Sequence, residues 1–442
     1  MIIGTRGLSR LQLHGARAPR SRSMLAGLLT GTALGCSLMV AMATPALADN
    51  ECGPAGATVV CPANTYNTGI RYANLAEALA LNVPVGAFVN TTANYTAGIE
   101  VQGGNFDVSI FQRGPIRTSG LDAPGIYVET NAGNVTIDAD DVATTGDYST
   151  TSNFGAEGIF VYSNTGDVSV TARNVSVDGF ATSALAVVVN NADIVFDIDA
   201  ITSTSTNSAT VFAQTQGSGD VTITSGSIDS RNQGIAVFGA GAGTVIVTSD
   251  SISIANSDAQ GHFGIIMGVN AKDVIVDSGS ISTTGLAARG IGITAASVDI
   301  TSDSIVTTGG PTTTRASDGI AVIALTGDVT IDSGTISTSG LAARGVGATA
   351  NLGSVDITSG SITTAGNGAL GIQAFGSTGV TIDSGSISTS GTTNTGGGMT
   401  RQADAIWVTG GAGANFSITS DSITTTGVDA RGIVVDDDGV VG

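Results

Sequence analysis

Asp140 and Asp141 stand side by side, and Gly261-His262-Phe263 holds the one histidine beyond residue 48. A pair of carboxyl groups can serve as general acid and base on a glycosidic bond, so these residues are the first place to look for catalysis. Asp277-Ser278-Gly279-Ser280 and Asp383-Ser384-Gly385-Ser386 carry the residue types that surround a nucleophilic serine. Both lie inside a repeated phrase, both lack a preceding glycine, and a single histidine would have to act as general base; a structural origin is the better reading. Asp436-Asp437-Asp438 could offer oxygen ligands to calcium, yet the glycine-aspartate nonapeptide of calcium-binding rolls is missing, and the stretch reads as a solvated acidic turn. No Walker loop, dinucleotide fingerprint or zinc spacing occurs. The sequence therefore implies no catalytic residue, no cofactor and no metal site.

Cys52 and Cys61 are the only cysteines beyond the first 48 residues. In an exported chain an even pair reads as a disulfide closing a short loop, whereas a metal site would need further ligands. Export is what the start of the chain indicates. Arg6, Arg10, Arg17, Arg20 and Arg22 precede an apolar run from Met24 to Ala43, and Pro45 precedes the small-x-small triplet Ala46-Leu47-Ala48. This is the layout of a secretory signal, cleaved between Ala48 and Asp49. An uncleaved anchor is argued against by the small residues at the end of the run. A lipoprotein is argued against by Ala33, which stands where a lipobox before Gly35-Cys36 wants leucine.

Beyond that leader, 11 of the 16 basic residues face all 36 acids, a net charge of 11 − 36 = −25. A phosphate backbone demands a basic surface, so nucleic acid is excluded as a partner. Only 12% of residues are charged and 4% aromatic, with 63 glycines among 442 residues, which is no ordinary enzyme composition.

The elements that must position these residues come from a repeat. The phrase at 273–285, DVIVDSGSISTTG, returns at 328–340 and 379–391. Twelve copies begin at residues 107, 134, 167, 193, 220, 244, 273, 297, 328, 354, 379 and 415. Eleven intervals cover 308 residues, so the mean period is 28, a solenoid length. Within a copy apolar residues alternate with polar ones, as in Val274, Val276 and Ile281 followed by Ile291 and Ile293. Period two means strands, about three per copy. Such a coil buries its apolar face only by stacking on others about 4.8 Å away. The expectation is an all-β chain: a right-handed parallel β-helix of about twelve three-strand coils, forming a rod about 58 Å long.

The fifth position of the phrase tests direct stacking. From residue 134 it reads Asp138, Thr171, Asp197, Thr224, Thr248, Asp277, Thr301, Asp332, Thr358, Asp383 and Thr419. No two neighbouring copies both carry Asp, which avoids roughly 1 to 3.5 kcal/mol of repulsion per pair. Where Thr301 and Thr358 stand there, Asp299 and Asp356 appear two residues earlier. Leu-Ala-Ala-Arg-Gly at 286–290 returns at 341–345, and pairing of Arg289 and Arg344 with neighbouring acids is favoured over ligand binding. Length varies mainly at 311–318 and 392–404, the first candidates for a binding surface.

The organisation expected is a signal peptide at 1–48, an N-terminal cap with the disulfide and first coil at 49–106, and repeats at 107–442. Asn74 to Leu81 is the best helical stretch of the cap, with Leu75, Ala78 and Leu79 able to share a face.

A long leader, a Cys pair opening the mature chain, and Gly-Ile-x-Val and Asp-Val-x-Ile repeats rich in Ser, Thr and Gly resemble the passenger domain of bacterial autotransporters. That resemblance implies export across the inner membrane of a Gram-negative bacterium and display at the cell surface or release. It also implies an outer-membrane β-barrel translocator, the chain's own or a separate one. No barrel strands with aromatic girdles occur in the last hundred residues, so the chain reads as a fragment or truncated product. The function implied is a non-enzymatic adhesin or interaction scaffold meeting host or neighbouring-cell surface glycans or proteins. Parallel β-helices also include the galacturonan hydrolases, which share clustered Asp residues, a Gly-His-Gly and an Arg-Ile-Lys. Here His262 is followed by Phe263 and the one lysine is Lys272, so a polysaccharide lyase or hydrolase is the rival. A nonfunctional truncated passenger is the third possibility.

Overall fold

A computed structural model describes residues 51–149, 155–255, 261–309, 317–392 and 402–436. The leader with its cleavage site at Ala48 and Asp49 lies outside them, as do most of the two long insertions and Asp437-Asp438.

Among the described residues every regular element is a strand, and all pair in parallel to form a β-solenoid of about 13 turns. One turn combines a long strand such as Val329–Ser339 with a short one such as Arg344–Ala350. The long strand is bent: its pairing with Ser354–Ala365 runs to Ser333↔Ser359, skips one position and resumes at Thr335↔Ser361. Three flat segments per turn result, as the alternation requires. Their inward side chains, among them Val329, Ile331, Ile336 and Val346, belong to one apolar core that runs from Cys52 to Val408.

The register shows why the phrase alternates. Asp277 pairs with Thr301, Thr301 with Asp332, Asp332 with Thr358 and Thr358 with Asp383. Upstream, Asp138 pairs with Thr171, Thr171 with Asp197 and Asp197 with Thr224. Asp299 and Asp356 both pair with Thr330. Carboxylates on this face never meet directly across a turn.

Two glycine positions recur for steric reasons. At the bend, a Cβ on Gly279 would lie 2.4 Å from the Asp250 carbonyl oxygen of the preceding turn. Before the short strand, a Cβ on Gly290 would lie 2.5 Å from the Gly319 oxygen and 2.4 Å from Ile305 Cγ2. The second contact explains the repeated Gly-Ile pair.

The helix expected at Asn74 to Leu81 does not form. Asn74 takes a left-handed φ of 54°, and Leu79–Val83 is a strand whose Leu79, Leu81 and Val83 pair with Val108, Ile110 and Gln112. The helical face was weaker than the alternation that begins at Leu79, because only a strand can extend the stack. Residues expected as a cap thus carry strands too: Ile70–Tyr72 pairs with Ile99–Gly104, which pairs with Ile126–Thr130. The disulfide between Cys52 and Cys61 spans Cα atoms 4.4 Å apart at this end.

Candidate functional site

Asp140 and Asp141 sit at and just after the bend of strand Val135–Thr144, and both are occupied. Arg113, one turn before, and Arg173, one turn after, each contact Asp138 and Asp140. Arg173 reaches Asp138 at 2.9 Å and Arg113 reaches Asp140 at 3.4 Å. Arg117 binds Asp141 at 2.5 Å. The hydrogen bond from Arg113 holds the Asp138 carboxyl below its ordinary range. Two guanidinium groups thus clamp the carboxylates of Asp138 and Asp140 from both sides, and opposite charge this close favours the ionised form of Asp138.

His262 is not near them. It is buried, and it precedes Phe263–Gly285, four pairing steps along the stack from Ile159–Ser163 in the turn of Asp140. Four steps amount to about 19 Å. Ser278 and Ser384 point into the core with 1% and 2% exposure, while Asp277 and Asp383 point out to solvent. Strand alternation sends the two halves of each Asp-Ser phrase to opposite sides, so neither serine can meet a substrate.

Arg289 and Arg344 converge on one acid. Asp318 is fully buried; Arg344 Nη2 lies 2.8 Å and Arg289 Nε 3.6 Å from its Oδ2. The Arg344 backbone N–H also donates to Asp318 Oδ1 at 2.9 Å. The three residues occupy one column, each immediately before a Gly-Ile or Gly-Val strand in successive turns. Arg289 lies over the Phe263 ring of the preceding turn, 5.5 Å from its centroid. The same column returns as Asp404 and Arg431, 2.7 Å apart. These residues hold turns together.

Three further groups were not singled out by the sequence. Lys272 is fully buried, and its ammonium donates to the carbonyls of Gly219 at 2.5 Å and Ala242 at 2.8 Å; burial lowers its pKa. Glu157, in the column of Asp318, has its carboxyl shut off from solvent, which pushes its pKa up to about 7, with a smaller contribution from Asp122. Asn105, Asn131, Asn164 and Asn190 form a ladder in which each amide donates to the one before, at 2.7, 3.1 and 2.6 Å. The signal for all three was spacing by one turn rather than by a local motif.

What remains for function is the outer surface, and its faces differ. The first segment of each turn presents the Asp/Thr array. The second presents hydroxyls: Ser280, Ser304, Thr335, Ser361 and Ser386 in one column, and Ser282, Val306, Ser337, Thr363 and Ser388 in the next. Val306 apart, these five turns offer hydroxyls and no charge, whereas upstream the same two columns hold Asp141, Arg117 and Asp229. On the short strands upstream, Tyr127, Phe160 and Phe212 form a second apolar cluster on the side away from the core, with Tyr127 and Phe160 stacked at 5.7 Å. Comparison with family models, curated proteins and solved structures finds no match to this chain.

Proposed function

We propose that this chain is an exported surface scaffold of the autotransporter-passenger type, acting by binding rather than catalysis. The observation that carries the reading is the engagement or burial of the groups singled out for catalysis. Asp140 and Asp141 are clamped by arginines, Ser278 and Ser384 face the core, and His262 is buried about four turns away. The long faces of Asp, Thr and Ser remain, and their repetition suits many weak contacts with surface glycans or proteins. Net negative charge keeps such rods soluble and apart.

The test has two arms. Cell fractionation, surface proteolysis of intact cells and sequencing of the mature N-terminus should find an exposed product beginning at Asp49; a protein retained in the cytoplasm with Met1 intact would end the export reading. Cells displaying the chain should gain adhesion to glycan- or matrix-coated surfaces, and Asp140→Asn/His262→Ala should leave that gain unchanged. Glycan cleavage lost in the same variant would favour the polysaccharide-degrading rival instead.

A further inference from the structure

Phe263, Arg289, Asp318 and Arg344 follow one another at the corner before the short strands, and glycines on those strands let side chains fold flat onto the outer face. A Cβ on Gly292 would lie 2.5 Å from the Phe263 ring, and one on Gly347 would lie 2.6 Å from Arg344 Cζ. The ring and the guanidinium therefore cover places where side chains would otherwise stand. Arg289 lies over the same ring. Gly347 pairs with Gln373 and Gln373 with Trp407, while Arg344 Nη1 donates to Gln373 Oε1 at 3.1 Å. Trp407 faces outward because its neighbours Ile406 and Val408 are buried. The result is a row of planar groups, aromatic at both ends and cationic between, along five turn spacings or about 24 Å. Apart from the buried Asp318, its members are all partly exposed.

Charge singles this row out. Among the described residues beyond Lys272 the cations are Arg289, Arg344 and Arg431, all at this corner. Asp404 matches Arg431, but Asp318 alone faces both Arg289 and Arg344, which leaves one positive charge in surplus on a strongly acidic chain. Arg344 carries five N–H donors. Its bonds to Asp318 through Nε and Nη2 and to Gln373 through Nη1 use three of them.

We propose that this row binds an acidic polysaccharide, one bearing uronate carboxylates or sulfates, laid along the rod. The inference rests on the surface-binding reading and gives it a ligand class and a place. A pyranose ring has an apolar C–H face that packs on large aromatic surfaces such as Phe263 and Trp407. The planar fork of arginine matches the oxygens of an anionic substituent. In the next outward column Thr294, Thr349 and Thr409 offer hydroxyls to those of the sugar. Because Asp318 already holds both guanidinium groups, little side-chain freedom remains to be lost on binding. A neutral glycan would stack on the rings but leave the surplus charge unanswered.

The chain has one tryptophan, so its fluorescence reports on this row directly. Titrating the purified full chain with oligogalacturonate or heparin oligosaccharides should change the Trp407 emission saturably, with weaker binding at higher salt, and maltohexaose should leave it unchanged. Arg344→Gln should weaken binding by about tenfold or more. Trp407→Ala leaves the ion pairs in place and should weaken binding severalfold by calorimetry; it carries the test if circular dichroism shows Arg344→Gln unfolded. Neither emission change nor heat with the acidic oligomers would overturn the proposal. An equal response to maltohexaose would overturn it too, as would acidic binding that survives both variants. Adhesion of cells displaying the parent chain judges the surface-binding reading separately: adhesion without any acidic-oligomer binding would sink this site and leave that reading standing.

Discussion

Turns upstream of about residue 240 and turns downstream of it stack with the same register but bind one another differently. Upstream, side chains bond to their own equivalents. Asn131, Asn164 and Asn190 pass one amide hydrogen bond from turn to turn. At the neighbouring corner Asp107, Asp167, Asp193 and Asp220 each accept the backbone N–H one turn on, at 2.7 to 3.1 Å, a bond that Asp328 repeats downstream. Downstream, the equivalents of Asn164 are Leu325, Asn351 and Ser377, and opposite charges, which upstream pair on the outer face as Arg113 and Arg173 with Asp138, converge instead on the buried Asp318 from Arg289 and Arg344. The difference teaches that a solenoid column tolerates any residue type whose bonding needs its neighbours can meet. Even adjacent carboxylates are accepted at Asp167, Asp193 and Asp220, because each faces an N–H donor and the Lys272 ammonium lies close to two of them. On the outer face of the long strands, where every N–H is committed to the sheet, Asp alternates with Thr instead.

The contrast breaks most sharply at Asp318. Asp318→Ala leaves two arginines facing each other around a buried site and should cost about 3–5 kcal/mol, read as a lower midpoint in urea. Thr301→Asp inserts a carboxylate between Asp277 and Asp332 and should cost roughly 2–3 kcal/mol at low salt. Much of that loss should return in 1 M NaCl; a salt-independent loss would point to packing rather than charge. Asn164→Ala removes both bonds of its rung and should cost about 1–2 kcal/mol, whereas Ser337→Ala on the hydroxyl face should stay within about 0.5 kcal/mol. Equal effects would erase the distinction between the halves.

A further modest effect is a pH dependence. Asp138 has its pKa lowered by Arg113 first and by Arg173 as well, so the native state favours the ionised form. Its contribution is complete above the unfolded value near 3.9 and is lost as pH falls through the lower native value. Because the pair is partly exposed, about 1 kcal/mol is at stake. Stability measured from pH 6 to pH 2 should decline less steeply in Asp138→Asn than in the parent.

The solenoid was legible because its strongest signals are local. Val274, Val276 and Ile281 declare strands by alternation alone, and the Asp/Thr phrase has a fixed length, so copies align by eye. The turns between phrases vary in length, and that concealed the rest. Glu157, Asp318 and Asp404 share a column, yet they follow the starts of their phrases by 23, 21 and 25 residues, so no spacing rule brings them together. Arg113 and Arg173 stand 25 and 35 residues from Asp138, which made Asp140-Asp141 look available. The false helix at Asn74 to Leu81 arose where a short apolar pattern fitted two periods, and only the partner strand at Val108–Gln112 decides between them.

Lys272 leads somewhere else. It is the one lysine in 442 residues, and its amine lies inside the stack on two carbonyls. The outer faces of the solenoid therefore offer no lysine to acylating reagents, aldehyde fixatives, isopeptide-forming enzymes or lysine-specific proteases. Covalent capture through lysine amines should pass this protein by while it is folded and find it only once the turns around Gly219 and Ala242 have opened, which makes labelling of Lys272 a direct clock for unfolding of the middle of the rod.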